Sequence, residues 1–313
     1  MDSTNHRSKR LNLKTHRKMK TVAIVGVGLI GGSLALALKE KNLAQTIIGV
    51  DQNPDHQQKA LELNLVDEIA DLCDAIKRSD LIVLATPVNA VKRLLPEVLD
   101  QVDQQVVIDV GSTKEGILEV IKDHLKRGRF VATHPMWGTE YSGPEAAVKN
   151  AFVQKATVIC NQEDSDADAL KLVESIYKEL GMHLVYMNGQ AHDVHVAYVS
   201  HISHITSFAL ANTVLEKEKE EDTIFELASG GFESTVRLAK SNPATWASIF
   251  MQNRENVLDV LNEHISQLRK FKSCLEKENY EYLEELMVNA NKIKKVLNPD
   301  LAKQKRVEEK SKI

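Results

Sequence analysis

Residues Thr21–Leu38 read TVAIVGVGLIGGSLALAL. The apolar run Thr21–Val25 ends at Gly26. Gly28 and Gly31 follow in G-x-G-x-x-G spacing, and Leu34–Leu38 are good helix formers. That order predicts strand, tight turn and helix. Gly26 lets the chain leave the strand sharply, Gly28 has no side chain to block a pyrophosphate, and Gly31 lets the helix lie close to the strand. The helix start then offers free N–H groups and the positive end of its dipole to phosphate.

A glycine pattern alone is weak evidence, so its neighbours decide. A second apolar run, Thr46–Val50, leads into Asp51, twenty residues beyond Gly31. A carboxylate there accepts hydrogen bonds from a ribose 2′-hydroxyl and repels a 2′-phosphate, which predicts NAD over NADP. The rival reading is a secretory signal or membrane anchor. Basic residues from Arg7 to Lys20 precede the nearly uncharged run Val22–Leu38. Four glycines, no small-residue cleavage site and a run short of ~20 residues count against it.

The chain of 313 residues holds two domains of ordinary size, and 43% hydrophobic residues are enough for packed cores. A net charge of −4 gives no overall attraction to nucleic acid or to an anionic membrane. Cys73, Cys160 and Cys274 lie far apart with no C-x-x-C, which suits a reducing cytoplasm. Residues 1–18 are polar and basic without apolar periodicity. They read as a disordered extension ahead of a natural start at Met19, with a basic nucleic-acid arm as the sharper alternative.

From Met19 to about Met187, strand-like runs alternate with helical patterns. The runs are Thr21–Val25, Thr46–Val50, Leu81–Ala85, Val106–Val110, Phe130–Thr133, Ala156–Cys160 and His183–Tyr186. Near-continuous apolar strands separated by helices predict an α/β, Rossmann-type parallel sheet over residues 19–188. From Gln190 to about Val296 the pattern is helical, interrupted at Glu216–Asp222 and at Gly230–Gly231. Leu283, Leu286, Met287, Ala290, Ile293 and Val296 make one apolar stripe. Residues 189–313 are therefore expected to form an all-helical domain that binds substrate and makes a homodimer.

Ligands of an open parallel sheet bind beyond the carboxyl ends of its strands. Thr86 follows one strand, Ser112 another, and His134-Pro135-Met136-Trp137-Gly138-Thr139-Glu140 a third. His134 is the candidate acid–base group, since imidazole takes a proton near neutral pH and a hydroxyl such as Ser112 can orient it. On chain position alone, shaping the loop before Pro135 remains the alternative. Four histidines, His192, His195, His201 and His204, fall on one expected helix. At about 100° per residue the two pairs point to different sides, so one ion cannot use all four, and no metal site is expected. His204 or His201 reads as a hydrogen-bonding group facing the cleft, the others as surface or core. Arg237, soon after Gly230-Gly231, can present a fork to a carboxylate; a plain surface arginine fits the same signal.

Together these motifs resemble the prephenate/arogenate dehydrogenase family of tyrosine biosynthesis. The residues that carry the resemblance are Val25–Ser33, Asp109–Lys114, His134–Pro144, Ser200-His201-Ile202-Ser203-His204, Gly230 through Arg237, and Trp246. The resemblance implies oxidative decarboxylation of prephenate to 4-hydroxyphenylpyruvate, with NAD taking the hydride. His134 would take the proton of the ring hydroxyl, with Ser112 orienting the imidazole. Arg237 would hold the ring carboxylate, and His204 and Thr139 would contact substrate. Glu140 would gate the pocket or pair with Arg237. Gly26, Gly28, Leu29, Ile30, Gly31, Asp51 and Thr86 would meet the cofactor. Glu233, Ser234 and Val236 stand where the family often has a basic residue, Asp and Thr. The eighteen residues before Met19 are too few for a mutase domain, and the tail is too short for an ACT-type regulatory domain. Feedback by tyrosine, if present, would then act at the active site. Arogenate is the alternative substrate, another NAD-dependent hydroxyacid dehydrogenase the alternative enzyme, and a non-catalytic NAD sensor the alternative outside enzymes.

Overall fold

The computed structural model describes residues 19–221 and 223–297; the expectations for residues 1–18 and for the end of the tail lie outside them. Among the described residues eight strands form one sheet: β1 (Met19–Val25), β2 (Ala44–Val50), β3 (Glu68–Ile69), β4 (Leu81–Leu84), β5 (Val106–Asp109), β6 (Phe130–Pro135), β7 (Ala156–Cys160) and β8 (His183–Met187). Their order is β3-β2-β1-β4-β5-β6-β7-β8. The helices of this half are α1 (Leu29–Glu40), α2 (Pro54–Glu62), α3 (Leu72–Arg78), α4 (Val88–Gln101), α5 (Glu115–Glu119) and α6 (Ala167–Glu179).

The strands read as unbroken apolar runs because both faces are covered. Side chains alternate across a strand, so Val22 and Ile24 enter one core and Ala23 and Val25 the other. The first core takes Leu34, Ala35 and Leu38 of α1 with Val173, Ile176 and Tyr177 of α6. The second takes Val91, Leu95, Val98 and Leu99 of α4 with Ala75 and Ile76 of α3.

Two features depart from a simple parallel sheet. β7 runs antiparallel to β6, with His134 opposite Val158. Parallel neighbours need a crossover, usually a helix, and the link between β6 and β7 contains only a 3-10 turn at Pro144–Ala146. β3 is two residues long at the sheet edge, too short for alternation to reveal it.

Register sets the site. Val25 pairs with Val50, and Leu84 pairs with both Val25 and Asp109. The carboxyl ends of β1, β2, β4 and β5 are therefore level. Gly26, Asp51, Thr86 and Ser112 leave the sheet along one edge, and β6 carries His134 to it.

The helices that follow are α7 (Gly189–Val196), α8 (Ile202–Glu218), α9 (Gly230–Val236), α10 (Pro243–Gln252), α11 (Arg254–Glu276), α12 (Tyr280–Ala290) and α13 (Lys294–Leu297). A π-helical turn, Ala197–His201, joins α7 to α8. The chain divides into two compact units between Arg254 and Glu255, so α7 to α10 belong to the unit that holds the sheet. They are tied to it by Asn89 donating to Ser248 at 2.9 Å and by Asp193 capping the start of α5. In the other unit, Leu283 and Leu286 are half-buried, while Met287, Ala290, Ile293 and Val296 are exposed. Among the described residues no helix is long and apolar enough to cross a membrane.

Candidate active site

The glycine turn behaves as its spacing requires. Gly26 has φ +97°, and a Cβ there would lie 2.7 Å from the Ala85 carbonyl oxygen. A Cβ on Gly31 would lie 2.0 Å from the Gly26 carbonyl oxygen, so helix and strand meet only through glycine. Gly28 faces open space and caps α1 without any side-chain hydrogen bond. No acidic side chain stands in the first turn of α1. The open cradle and uncapped helix start suit a pyrophosphate. Asp51 closes the turn from β2: its Oδ2 accepts from Val27 N at 3.1 Å and its Oδ1 from Asn53 N at 2.9 Å. The Thr86 hydroxyl is buried without a hydrogen-bond partner among the described residues, a polar atom suited to a bound ligand. These residues fit a dinucleotide, with Gly28, Leu29, Ile30 and Thr86 lining the adjoining cavity.

That cavity is about 660 Å³ and extends from the glycine turn to α8 and α10. Ser112, His134, Thr139, Glu140, His204 and Arg237 all line it. Gly26, Gly31 and Asp51 lie behind its wall and shape the turn. Arg237 Nη1 donates to Glu140 Oε2 at 2.9 Å. The Glu140 backbone N–H, then Arg237, holds the Glu140 carboxyl below its usual range. Thr139 is exposed, and its hydroxyl accepts from Tyr141 N at 3.3 Å.

The expected orienting partner of His134 is corrected by the geometry. No hydrogen bond joins Ser112 to His134 among the described residues. Instead His134 Nδ1 lies 2.8 Å from His192 Nε2, with the two rings near-perpendicular at 66°. His192 Nδ1 lies 2.7 Å from Asp193 Oδ1. The carboxylate of Asp193 also accepts from Lys114 N at 2.8 Å and Glu115 N at 3.0 Å. Behind it the fully buried Lys114 Nζ pairs with Asp109, which also accepts from Gly111 N at 2.8 Å. Burial pushes His134 well below the ordinary imidazole range, and charge at His192, Lys114 and His201 adds to it. His134 is therefore neutral at neutral pH, with one ring nitrogen bare.

Each of the other histidines of that helical segment has its own partner. His195 is exposed and donates to the Ala191 carbonyl. His204 Nδ1 donates to the Ser200 carbonyl at 3.0 Å, and its ring stacks on Trp246 with centroids 3.3 Å apart. His201 is buried beside Trp246 and Phe250, with its Nδ1 3.2 Å from Asn253 Nδ2. Among the described residues no three His, Cys, Asp or Glu side chains converge as a metal set.

The sequence marks His192 only as a surface or core residue and gives Asp193 no role. Adjacent helix positions ordinarily face apart, so a His-Asp dipeptide gives no pairing signal.

His201 makes the fold sensitive to acid. Burial lowers it to about 4, against the pull of Asp193. The unfolded chain takes this proton near pH 6.5 and the folded chain only near 4. Stability is thus full above the unfolded value and is lost as pH falls toward 4, by about 3 kcal/mol for this group. Denaturant midpoints should fall across that window, and less steeply in His201→Gln. Equal acid slopes in the two proteins would contradict this.

Comparison with known proteins agrees with this architecture. Residues 34–186 match the family model of the prephenate dehydrogenase nucleotide-binding domain, and 188–289 that of the prephenate dehydrogenase dimerization domain. The chain is 32% identical to the prephenate dehydrogenase of Bacillus subtilis over 84% of its own length and 72% of the relative's. It is 30% identical to the cyclohexadienyl dehydrogenase of Zymomonas mobilis over 90% of its length and 97% of the relative's. The crystal structure of prephenate dehydrogenase from A. aeolicus, in complex with hydroxyphenyl propionate and NAD+, superposes with a TM-score of 0.81. It is 31% identical and covers 90% of this chain and 98% of that one. With an imidazole and an arginine lining one cavity beside the glycine turn, these matches show that the chain belongs to the prephenate dehydrogenase family and is a dehydrogenase working with a nicotinamide dinucleotide.

Proposed function

We propose that this protein converts prephenate to 4-hydroxyphenylpyruvate and CO2 with NAD as the oxidant. The observation that supports the reading is His134, half-buried and neutral, lining the same cavity as Arg237 and Glu140. NAD, when bound, supplies the hydride acceptor. His134 accepts the proton of the ring hydroxyl as that carbon loses hydride and the carbonyl forms. The ring C–CO2 bond then breaks, its electron pair enters the ring, and the oxygen regains a proton as the phenol. Arg237 meets the ring carboxylate with its fork, and Glu140 holds the guanidinium until substrate arrives. His204 presents Nε2 from its stack on Trp246, and Thr139 and Ser112 offer hydroxyls from the cavity wall. Incubation with prephenate and NAD should release NADH, CO2 and 4-hydroxyphenylpyruvate in equal amounts. NADH without CO2 would replace this reaction with a simple dehydrogenation.

Asp51, which follows β2 and holds the glycine turn, supports NAD over NADP. Its carboxylate would accept from the 2′-hydroxyl and repel a 2′-phosphate. Asp51→Ala should weaken NAD about 10–100-fold and relax discrimination against NADP. Titration of both dinucleotides tests this, and unchanged affinities would sink the cofactor choice.

Residues 19–188 form the cofactor-binding half, and residues 189–313 serve substrate binding and homodimer contact. The exposed apolar side chains Met287, Val288, Ile293 and Val296 support a partner of the same kind. Light scattering should give twice the chain mass; a monomer mass at every concentration would remove the dimer. The three free thiols fit a cytoplasmic enzyme.

A further inference from the structure

We propose that His192 and Asp193 are positioning residues that set which nitrogen of His134 takes the substrate's proton. The inference rests on His134 acting as the base in the proposed reaction.

Asp193 fixes the direction of every bond in the chain, because a carboxylate can only accept. It already accepts the backbone N–H groups of Lys114 and Glu115 at the start of α5. The contact of 2.7 Å to His192 Nδ1 is therefore an N–H donated by His192. A neutral His192 then has only a lone pair on Nε2. The contact of 2.8 Å to His134 Nδ1 must be an N–H donated by His134. That leaves Nε2 of His134 as its proton-accepting nitrogen. The tautomer of the base is decided two residues away, by a group that touches neither substrate nor cofactor.

The opposite arrangement needs His192 to carry two protons. Its Nε2–H would then donate to His134 Nδ1, and His134 would hold its own proton on Nε2 and could not accept another. The surroundings oppose that state. His192 and Asp193 are both almost fully buried. Burial lowers His192 against the pull of Asp193, and the buried Lys114 cation opposes a second positive charge. The charged or titratable groups facing this chain are Asp193 from α7, Lys114 ahead of α5, Asp109 from β5, His134 from β6 and His201 from the π-helical turn. Asn253 holds the segment in place by donating to the Asp193 carbonyl at 2.6 Å.

When His134 takes the proton, its Nδ1–H bond to His192 gains charge assistance, and Asp193 stabilises the pair through the second ring. The chain thus sets orientation before the reaction and disperses charge during it. Asp193→Asn keeps the volume but can offer an amide N–H to His192 Nδ1, which reverses both tautomers. His192→Phe removes the acceptor, whereas His192→Gln restores an amide oxygen near the same place.

The test reads the ring nitrogens of the full chain directly. ¹⁵N spectra of histidine side chains at neutral pH should show His134 and His192 both protonated on Nδ1 and bare on Nε2. Loss of one signal set in His134→Asn and another in His192→Gln supplies the assignments. In Asp193→Asn, His134 should carry its proton on Nε2, and kcat on prephenate should fall by about a hundredfold or more at unchanged KM. His192→Phe should show the same loss, and His192→Gln should recover much of it. Wild-type protein with Nε2–H on His134 overturns the proposal whatever its turnover. The expected tautomers in a protein without prephenate turnover would leave the positioning pair standing and overturn the assigned reaction instead. A drop in KM affinity and melting temperature with kcat preserved would make the pair merely structural.

Discussion

Replacing His134 with Asn is expected to lower kcat by about 10²–10⁴-fold, the range for loss of a positioned general base. Asn retains an N–H that can donate to His192, so the buried chain behind it keeps a partner. What it loses is a nitrogen able to take and hold a proton. The glycine turn, Asp51 and Thr86 are untouched, so NAD affinity should not move. Steady-state rates with prephenate, together with NAD titration, separate the two. Near-normal turnover would remove His134 from the reaction, and a parallel loss of NAD binding would point to a collapsed cavity.

Arg237→Ala is expected to act on the other side of the cavity. A charge-assisted bond to a carboxylate is worth about 1.5–3 kcal/mol, so KM for prephenate should rise about 10–100-fold. In the structure Arg237 is half-exposed and paired with Glu140. In the proposed reaction the substrate carboxylate would compete with Glu140 for the guanidinium. Arg237→Lys should recover only part of the loss, because an ammonium cannot bond both oxygens in one plane. Glu140→Gln should not raise KM in the way Arg237→Ala does. An Arg237→Ala enzyme with unchanged KM would leave this arginine a surface residue.

Much of this arrangement was legible in the residues themselves. The glycine spacing with Asp51 twenty positions on identified the cradle, because the turn needs glycine at Gly26 and Gly31 for reasons of space alone. The strands were legible because both faces are buried, which makes each a continuous apolar run. The antiparallel β7 was not, since Ala156–Cys160 reads the same in either direction and only the missing crossover helix distinguishes them. β3 was too short to carry a period. His134, Arg237, Glu140 and His204 were legible as motif residues, and the structure brings all four to one cavity. The partner of His134 was not. Its link to His192 joins β6 to α7 across 58 positions of sequence, and the π-helical turn after α7 disturbs the helical spacing that placed the four histidines. Lys114 closes the Asp109–Lys114 motif, yet its burial against Asp109 depends on tertiary packing that no local pattern encodes.

One substrate, one cofactor and one cavity are tested together by kcat/KM for NADH or NADPH formation with prephenate and with arogenate, each with NAD and with NADP. Prephenate with NAD is expected to exceed every other pairing. A higher value for arogenate with either cofactor, or no reduced dinucleotide from prephenate at all, would contradict it.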